Sequence, residues 1–247
     1  MDSNDIQKIY SDDYARSYNQ RFILNDWFAT DVKFEREIIE KLLDEIGGGA
    51  TWLDVACGTG YFLSCFPHVE RAGLDISPAM LKLAKQANPN ALFVQEDYRN
   101  KRPEWEGKWD LVSCMWEAYV YVNSLLELEK VIENLSTWVS SRGVFFIPLC
   151  DPRERGNGTI ALPYSCPNLD LNKGTVRFEA VFWSWIEESG VQHLNMLAPQ
   201  VESMIVLFGR YFEQVEVVKY PLFEGKQRKA IVARKKRKNF LTEGRVR

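Results

Sequence analysis

Histidine is almost missing from this 247-residue chain: His68 and His193 are the only two. The five cysteines (Cys57, Cys65, Cys114, Cys150 and Cys166) are odd in number, scattered, and never form a Cys-x-x-Cys pair. Zinc sites need clustered imidazole and thiolate ligands, so no metal site is expected. The cysteines that fall in apolar runs read instead as small buried hydrophobes. No apolar run approaches the ~20 residues of a membrane-spanning helix. The opening Met1-Asp2-Ser3-Asn4-Asp5 is acidic and lacks the apolar core of a signal peptide. The expectation is a soluble protein of a reducing compartment, the cytoplasm, with no membrane partner. An excess of one charge is also missing: 31 Lys and Arg stand against 34 Asp and Glu, a net charge of −3. That balance supplies no general pull toward nucleic acid. There is no internal repeat and no low-complexity segment. With 46% hydrophobic and 26% charged residues, the chain has ample material for a core. Its length suits a single α/β domain spanning residues 1–247.

Residues 51–56, 71–76, 91–95, 109–114 and 143–149 read as apolar, β-prone strands. Between them, residues 60–66, 78–87 and 124–139 carry helical spacing, and a helix over 32–46 precedes them, ended by Gly47-Gly48-Gly49. Ser77-Pro78 supplies a helix cap and a first-turn proline. This alternation predicts a parallel sheet with right-handed crossovers. The rhythm changes after Asp151. Residues 152–174 are rich in Pro, Gly and Asn, and 176–186 alternate as an antiparallel strand would. A helix at 199–211 and strands around 215–218 and 230–233 complete the reading.

The chemistry concentrates at Leu53-Asp54-Val55-Ala56-Cys57-Gly58-Thr59-Gly60, where a strand runs into a glycine turn and a helix resumes. Glycines at such a turn let a ligand approach the backbone closely. The nicotinamide fingerprint would need a third glycine where Leu63 stands. An acid in the strand beside the turn, Asp54, repels a pyrophosphate and suits a ligand with a positive charge. Two more acids end the next two strands, Asp75 and Asp97. Asp75 is placed to accept from both hydroxyls of a ribose, and Asp97 from an exocyclic adenine amine. Asp54 is placed to meet a cationic amino-acid portion. Three acids beside a close backbone approach describe S-adenosylmethionine better than a phosphate-bearing cofactor.

These residues, with Gly73-Leu74-Asp75-Ile76-Ser77, Glu96-Asp97-Tyr98 and Trp109-Asp110-Leu111-Val112, carry a resemblance. The chain resembles the class I S-adenosylmethionine-dependent methyltransferases of the small-molecule type (methyltransferase domain 25/11-like). Roughly residues 35–150 carry that likeness well, and the last two strands more loosely. Ala56 stands where the family's motif usually has glycine. The resemblance implies a Rossmann-like α/β fold with a seven-stranded, mostly parallel sheet whose last strand is antiparallel. It implies S-adenosyl-L-methionine as cofactor, S-adenosyl-L-homocysteine as product, and a methyl acceptor at a nitrogen or oxygen of a small metabolite such as a sugar amine. As cofactor residues it implies Asp54, Ala56, Cys57, Gly58 and Gly60 at the turn, Asp75, Ile76 and Met80 beyond the second strand, Asp97 and Tyr98 by the adenine, and Met115 and Tyr14.

Candidates for the acceptor side follow from position. Glu117 and His193 are the candidate bases, and Trp116, Tyr119, Tyr164, Phe178 and Phe182 the candidate lining. Residues 152–195 read as a small antiparallel cap insertion over the acceptor. Tyr10, Tyr14 and Tyr18, spaced by four, share one helix face within residues 1–31, either as a lid or as a packing stripe. A lone histidine such as His193 is more often structural or solvent-facing than catalytic. The tail at 235–247 begins basic and reads as solvated; guidance of an RNA or protein substrate is the alternative it leaves open. A non-catalytic adenosylmethionine-binding protein is the third reading. Oligomeric state, monomer or homodimer, is not written in the sequence.

Overall fold

The computed structural model describes residues 2–151, 180–187, 189–221 and 227–238. Tyr164, Phe178, most of the expected cap insertion and most of the basic tail lie outside the described residues. Seven strands form one sheet in the order β3-β2-β1-β4-β5-β9-β8. They are β1 (Thr51–Val55), β2 (Glu70–Asp75), β3 (Leu92–Gln95), β4 (Trp109–Ser113), β5 (Val139–Pro148), β8 (Phe212–Pro221) and β9 (Gln227–Lys236). The first five pair in parallel, and β9 runs antiparallel to both β5 and β8. The Rossmann-like architecture expected from the sequence is therefore present, with the last strand reversed. A separate antiparallel pair, β6 (Ala180–Ile186) and β7 (Gln192–Pro199), forms a hairpin.

The central strands were legible because both their faces are covered. Every residue of β4 is buried, and only Thr51 of β1 is not fully so. Such strands must be apolar throughout rather than alternating. One face packs against α6 (Leu125–Trp138) and α7 (Val201–Gly209), with Trp109, Trp138, Phe145 and Phe208 at the centre. The other packs against α3 (Asp26–Ile46), α4 (Tyr61–Ser64) and α5 (Pro78–Ala87), through Ile39, Leu42, Leu63 and Leu81. Ser77 caps α5 as expected, accepting from Met80 N.

The N-terminal stretch departs from the single tyrosine-bearing helix that the spacing predicts. It breaks into α1 (Ser3–Ile9), α2 (Asp12–Tyr18) and a π-turn (Asn19–Ile23) before α3 begins. Tyr10 ends α1, and Ser11 takes extended backbone as the cap residue of α2, with Asp12 and Asp13 in its first turn. A helix start thus sits between Tyr10 and Tyr14, with Asp12 and Asp13 favourably placed at its N-terminus, and it interrupts the four-residue spacing.

Parallel strands β1, β2 and β4 all point their carboxyl ends at one edge. Strand order reverses between β1 and β4, the place where open sheets leave a crevice. Antiparallel β9 starts at that same edge. The α1–α2 segment and the β6–β7 hairpin meet over it.

Candidate active site

A cavity of about 410 Å³ opens at this edge, within the range of small-molecule sites. One end is built by the glycine turn. Ala56, Gly58 and Gly60 all have positive φ, at 55°, 55° and 68°. At Gly60 a Cβ would come within 2.9 Å of Asn88 Nδ2, so the turn closes against α5 only with glycine. At Gly58 a Cβ would meet nothing within 4 Å, because that face of the backbone is open to the cavity.

Asp75 lies beside it, at the end of β2. Its Oδ2 accepts from Gly58 N and its Oδ1 from Ser77 N, both at 2.8 Å. One backbone donor on each oxygen fixes the carboxylate and leaves each a further lone pair for a ligand hydroxyl. Burial pushes this carboxyl up to about 6, against the pull of those N–H groups. Ile76, Met80, Asp97, Tyr98 and Met115 line the same end, and Tyr14 lines the cavity from α2. Asp97 is already engaged, by Ser3 Oγ at 2.5 Å and by Arg99 Nη1 at 3.1 Å. Tyr98 donates to Ala118 O.

Several sequence candidates stand elsewhere. Asp54, Cys57 and Gly60 do not line the cavity. Asp54 is 1% exposed and accepts at 2.7 Å from Ser113 Oγ, which itself accepts from Trp52 Nε1. Register explains this: Asp54 sits between Gly73 and Ser113 inside the sheet, one pleat before the turn. Tyr119 is also a correction: it is buried in the core, and its hydroxyl accepts from Cys150 N at 2.8 Å. Phe182 packs against the core and does not line the cavity, because Trp183 and Trp185, on the alternate face of β6, line it instead.

The other end is aromatic and acidic. Tyr10, Tyr14, Tyr18, Phe22 and Phe28 line the cavity from the N-terminal segment, with Tyr14 packed on Met80 of α5. Trp116, Tyr121, Trp183 and Trp185 face them. Trp116 and Glu117 are consecutive residues in the left-handed region, φ 52° and 61°. Such backbone costs about 1–2 kcal/mol per residue, and it persists where surrounding contacts impose it. Here Trp116 packs at a tilt on Phe28, with ring centroids 5.3 Å apart, and Glu117 Oε1 lies 2.6 Å from Arg228 Nη2.

Arg228 was missed by sequence reasoning. It lines the cavity from the start of β9 while its Nη1 reaches Glu35 at 3.0 Å and Asp31 at 3.5 Å. Tyr220 also donates to Glu35 Oε1, at 2.8 Å. Burial pushes Glu35 up to about 7, against the pull of Arg228 and Tyr220. Three carboxylates thus surround one guanidinium. The signal was present in α3, where Glu35 stands on the apolar stripe with Ile39 and Leu42.

His193 does not line the cavity. It lies one bond behind it, with Nδ1 2.7 Å from the Tyr121 hydroxyl and Nε2 2.8 Å from Glu187 Oε1. Glu187 also receives Tyr14 OH at 2.7 Å, Ser189 Oγ at 3.0 Å, and Arg21. Burial opposes its charge, but these hydrogen bonds outweigh it and hold the carboxyl at about 2.

Buried acids give the empty-handed protein a definite pH dependence. Asp54 is pushed by burial to about 7, as is Glu35, and Asp75 to about 6. Their folded values exceed the ~4 of an unfolded chain, so the native state holds protons that unfolding releases. Stability therefore rises as pH falls from about 8 to about 5. Glu187 acts in the opposite sense, but only below its ordinary range, outside that window. Thermal unfolding without ligand should have its midpoint several degrees higher at pH 6 than at pH 8; a flat or reversed profile would show that these acids are ionised at no cost.

Among the described residues, no group of His, Cys, Asp and Glu is placed to hold a metal ion. No helix among them is long and apolar enough to cross a membrane.

Comparison with known proteins places this geometry. Residues 53–143 match a family described as "Methyltransferase domain". The chain is 26% identical over 147 residues to a dTDP-4-amino-2,3,4,6-tetradeoxy-D-glucose N,N-dimethyltransferase of Saccharopolyspora spinosa, covering 58% of this chain and 57% of that protein. It is 32% identical over 102 residues to a dTDP-3-amino-3,6-dideoxy-alpha-D-glucopyranose N,N-dimethyltransferase of Streptomyces fradiae, covering 40% and 38%. The matches thus span less than two thirds of these curated relatives. In fold it is similar to an amino pentose methyltransferase from Micromonospora echinaspora solved with S-adenosylmethionine bound, with a TM-score of 0.59, 20% identity, and 89% and 96% of the two chains covered.

Proposed function

We propose that a chain carrying a methyltransferase domain over residues 53–143 is an S-adenosylmethionine-dependent enzyme that methylates an amine nitrogen of a small molecule, an amino sugar in the first instance. The observation that carries this reading is one cavity with two unlike ends: Gly58 and Asp75 at one, Glu117 and Arg228 at the other. The cofactor fits the first end. Asp75 has acceptor capacity for ribose hydroxyls, Gly58 leaves its backbone approachable, and Asp97, Tyr98 and Ile76 stand where an adenine would lie. When bound, S-adenosylmethionine supplies a methyl group on a positively charged sulfur. The tyrosine rings of the N-terminal segment suit such a cation.

The chain's own task is then to align and to keep water out. Methyl transfer along a straight line gains most from holding the two reactants in place, worth about 7–11 kcal/mol in favourable cases. The aromatic roof and Trp116, Trp183 and Trp185 exclude water from the acceptor end. The carboxylates grouped around Arg228 at that end favour an amine over an anionic acceptor. Glu117 is the carboxylate of the cluster that lines the cavity and is assigned the contact with the amine. The two curated relatives, by their names, dimethylate amino groups of dTDP-sugars, which supports the same acceptor class here.

Incubation with deuteromethyl-labelled adenosylmethionine and a panel of amino sugars, free and nucleotide-linked, with their hydroxyl counterparts, tests the reading. Labelled methyl should appear on the amines and be absent from the hydroxyl analogues. Labelling of hydroxyls alone would overturn the amine assignment. Failure to bind adenosylhomocysteine in a calorimeter would overturn the cofactor assignment.

A further inference from the structure

We infer that Tyr121, His193 and Glu187 form a relay that carries the proton released by the acceptor nitrogen out of the cavity. The inference rests on the amine-methylating reading and adds the path of the proton, which that reading leaves open. Methylating a neutral amine makes an ammonium, and Glu117 is poorly suited to receive its proton. Its carboxylate is committed to Arg228, at 2.6 Å and deep in the wall. Tyr121 lines the cavity, and its hydroxyl has a base directly behind it, His193, 2.7 Å away.

The Glu187 carboxylate fixes the direction at one end of the chain of hydrogen bonds. Glu187 is an ionised carboxylate and can only accept, so His193 Nε2 carries the proton donated to it across 2.8 Å. In the neutral imidazole that a proton acceptor must be, Nδ1 is then the lone-pair nitrogen, and Tyr121 donates to it. The Tyr121 oxygen is left as an acceptor. One lone pair faces Tyr10 OH at 2.9 Å, and the other is available to an N–H in the cavity. The imidazole is held in this pose by stacking on Trp185, with centroids 4.7 Å apart and an interplanar angle of 13°. It is 1% exposed, so bulk water does not short-circuit the relay.

The step balances. As the N–CH₃ bond forms, the S–CH₃ bond breaks and its electron pair stays on sulfur. The new ammonium gives a proton to the Tyr121 oxygen while the Tyr121 proton passes to His193 Nδ1. The positive charge that began on sulfur ends on an imidazolium beside the Glu187 carboxylate. Burial keeps Tyr121 well above the ordinary phenol range, so it passes the proton without resting as a phenolate. The titratable and charged groups facing His193 are Glu187 from the hairpin, Tyr121 from the turn after β4, and Tyr10 and Tyr14 from the N-terminal segment, with Arg21 acting through Glu187. Tyr121 touches the acceptor; His193 and Glu187 are positioning residues that act through it.

Two measurements test the relay. His193→Gln and Tyr121→Phe should each lower kcat by about 100-fold, within the usual range for losing a positioned acid or base. The double variant should lose little more, and adenosylhomocysteine affinity should stay within about twofold. The pH profile of kcat should lose its acidic limb in His193→Gln. An unchanged profile, or additive losses, would overturn the relay in favour of a role in packing the hairpin. The second measurement does not need turnover. Nitrogen-15 spectra, simple with only two histidines in the chain, should show His193 as the Nε2–H tautomer at pH 8, with Nδ1 shifted in Tyr121→Phe. An Nδ1–H tautomer would overturn the relay even if methyl transfer is observed. A correct tautomer with no amine turnover would instead place the failure in the proposed function.

Discussion

Replacing Arg228 with methionine destabilises the protein by about 3–5 kcal/mol at pH 8, the range for stripping a buried charge cluster of its counter-ion. For a chain of this size that is a fall in melting midpoint of roughly 6–20 °C. Arg228 is 5% exposed and is shared by Glu117, Glu35 and Asp31. Methionine fills much of the same volume, so the loss comes from charge rather than from a cavity. Without the guanidinium, the three acids can remain buried only by taking up protons. The deficit should therefore shrink between pH 8 and pH 5.5, where protonation is easier. Adding Glu117→Gln to Arg228→Met should recover part of it, because one fewer buried charge is left unpaired. Chemical denaturation at the two pH values checks this. A variant within 1 kcal/mol of the parent at pH 8 would show that the acids are already neutral.

Replacing Asp75 with alanine weakens adenosylhomocysteine binding by about 100-fold. Two hydrogen bonds to a charged carboxylate contribute roughly 1.5 kcal/mol each at the low end, and 1.4 kcal/mol is a factor of ten. Gly58 N and Ser77 N also lose their partner, so the turn itself loosens. Asp75→Asn keeps one acceptor oxygen and should lose less than alanine does. The parent protein should bind more weakly below pH 6, since its carboxyl, raised to about 6 by burial, must be ionised to accept from both hydroxyls. Calorimetry across pH 5–8 measures both effects. Unchanged affinity in the alanine variant would remove Asp75 from the ribose role.

What the sequence disclosed follows from where its signals are local. Strands covered on both faces must be apolar along their whole length, so β1, β2 and β4 could be read off directly. The glycine turn and the acid ending β2 lie within one strand–turn–helix unit, and Gly58 and Asp75 stand in the cavity as that unit implies. Asp54 was misplaced because a single pleat decides whether a residue at a strand end faces the crevice or the sheet. The tyrosine spacing found the roof while mistaking its shape, since Ser11 starts a new helix between two of the rings. Arg228 escaped because its partners lie far away in sequence, on α3 and after β4. His193 was noticed as one of only two histidines, but its context needs Tyr121 and Glu187, neither of which is adjacent to it.

The grip of Ser3 and Arg99 on Asp97 has a thermodynamic corollary. The roof, residues 3–22, is fastened to an acid at the cofactor end and hydrogen-bonded to the hairpin through Tyr14 and Glu187. Roof seating and ligand occupancy therefore share one free-energy cycle. Whatever factor a seated roof adds to ligand affinity, a bound ligand must return to the roof as added order.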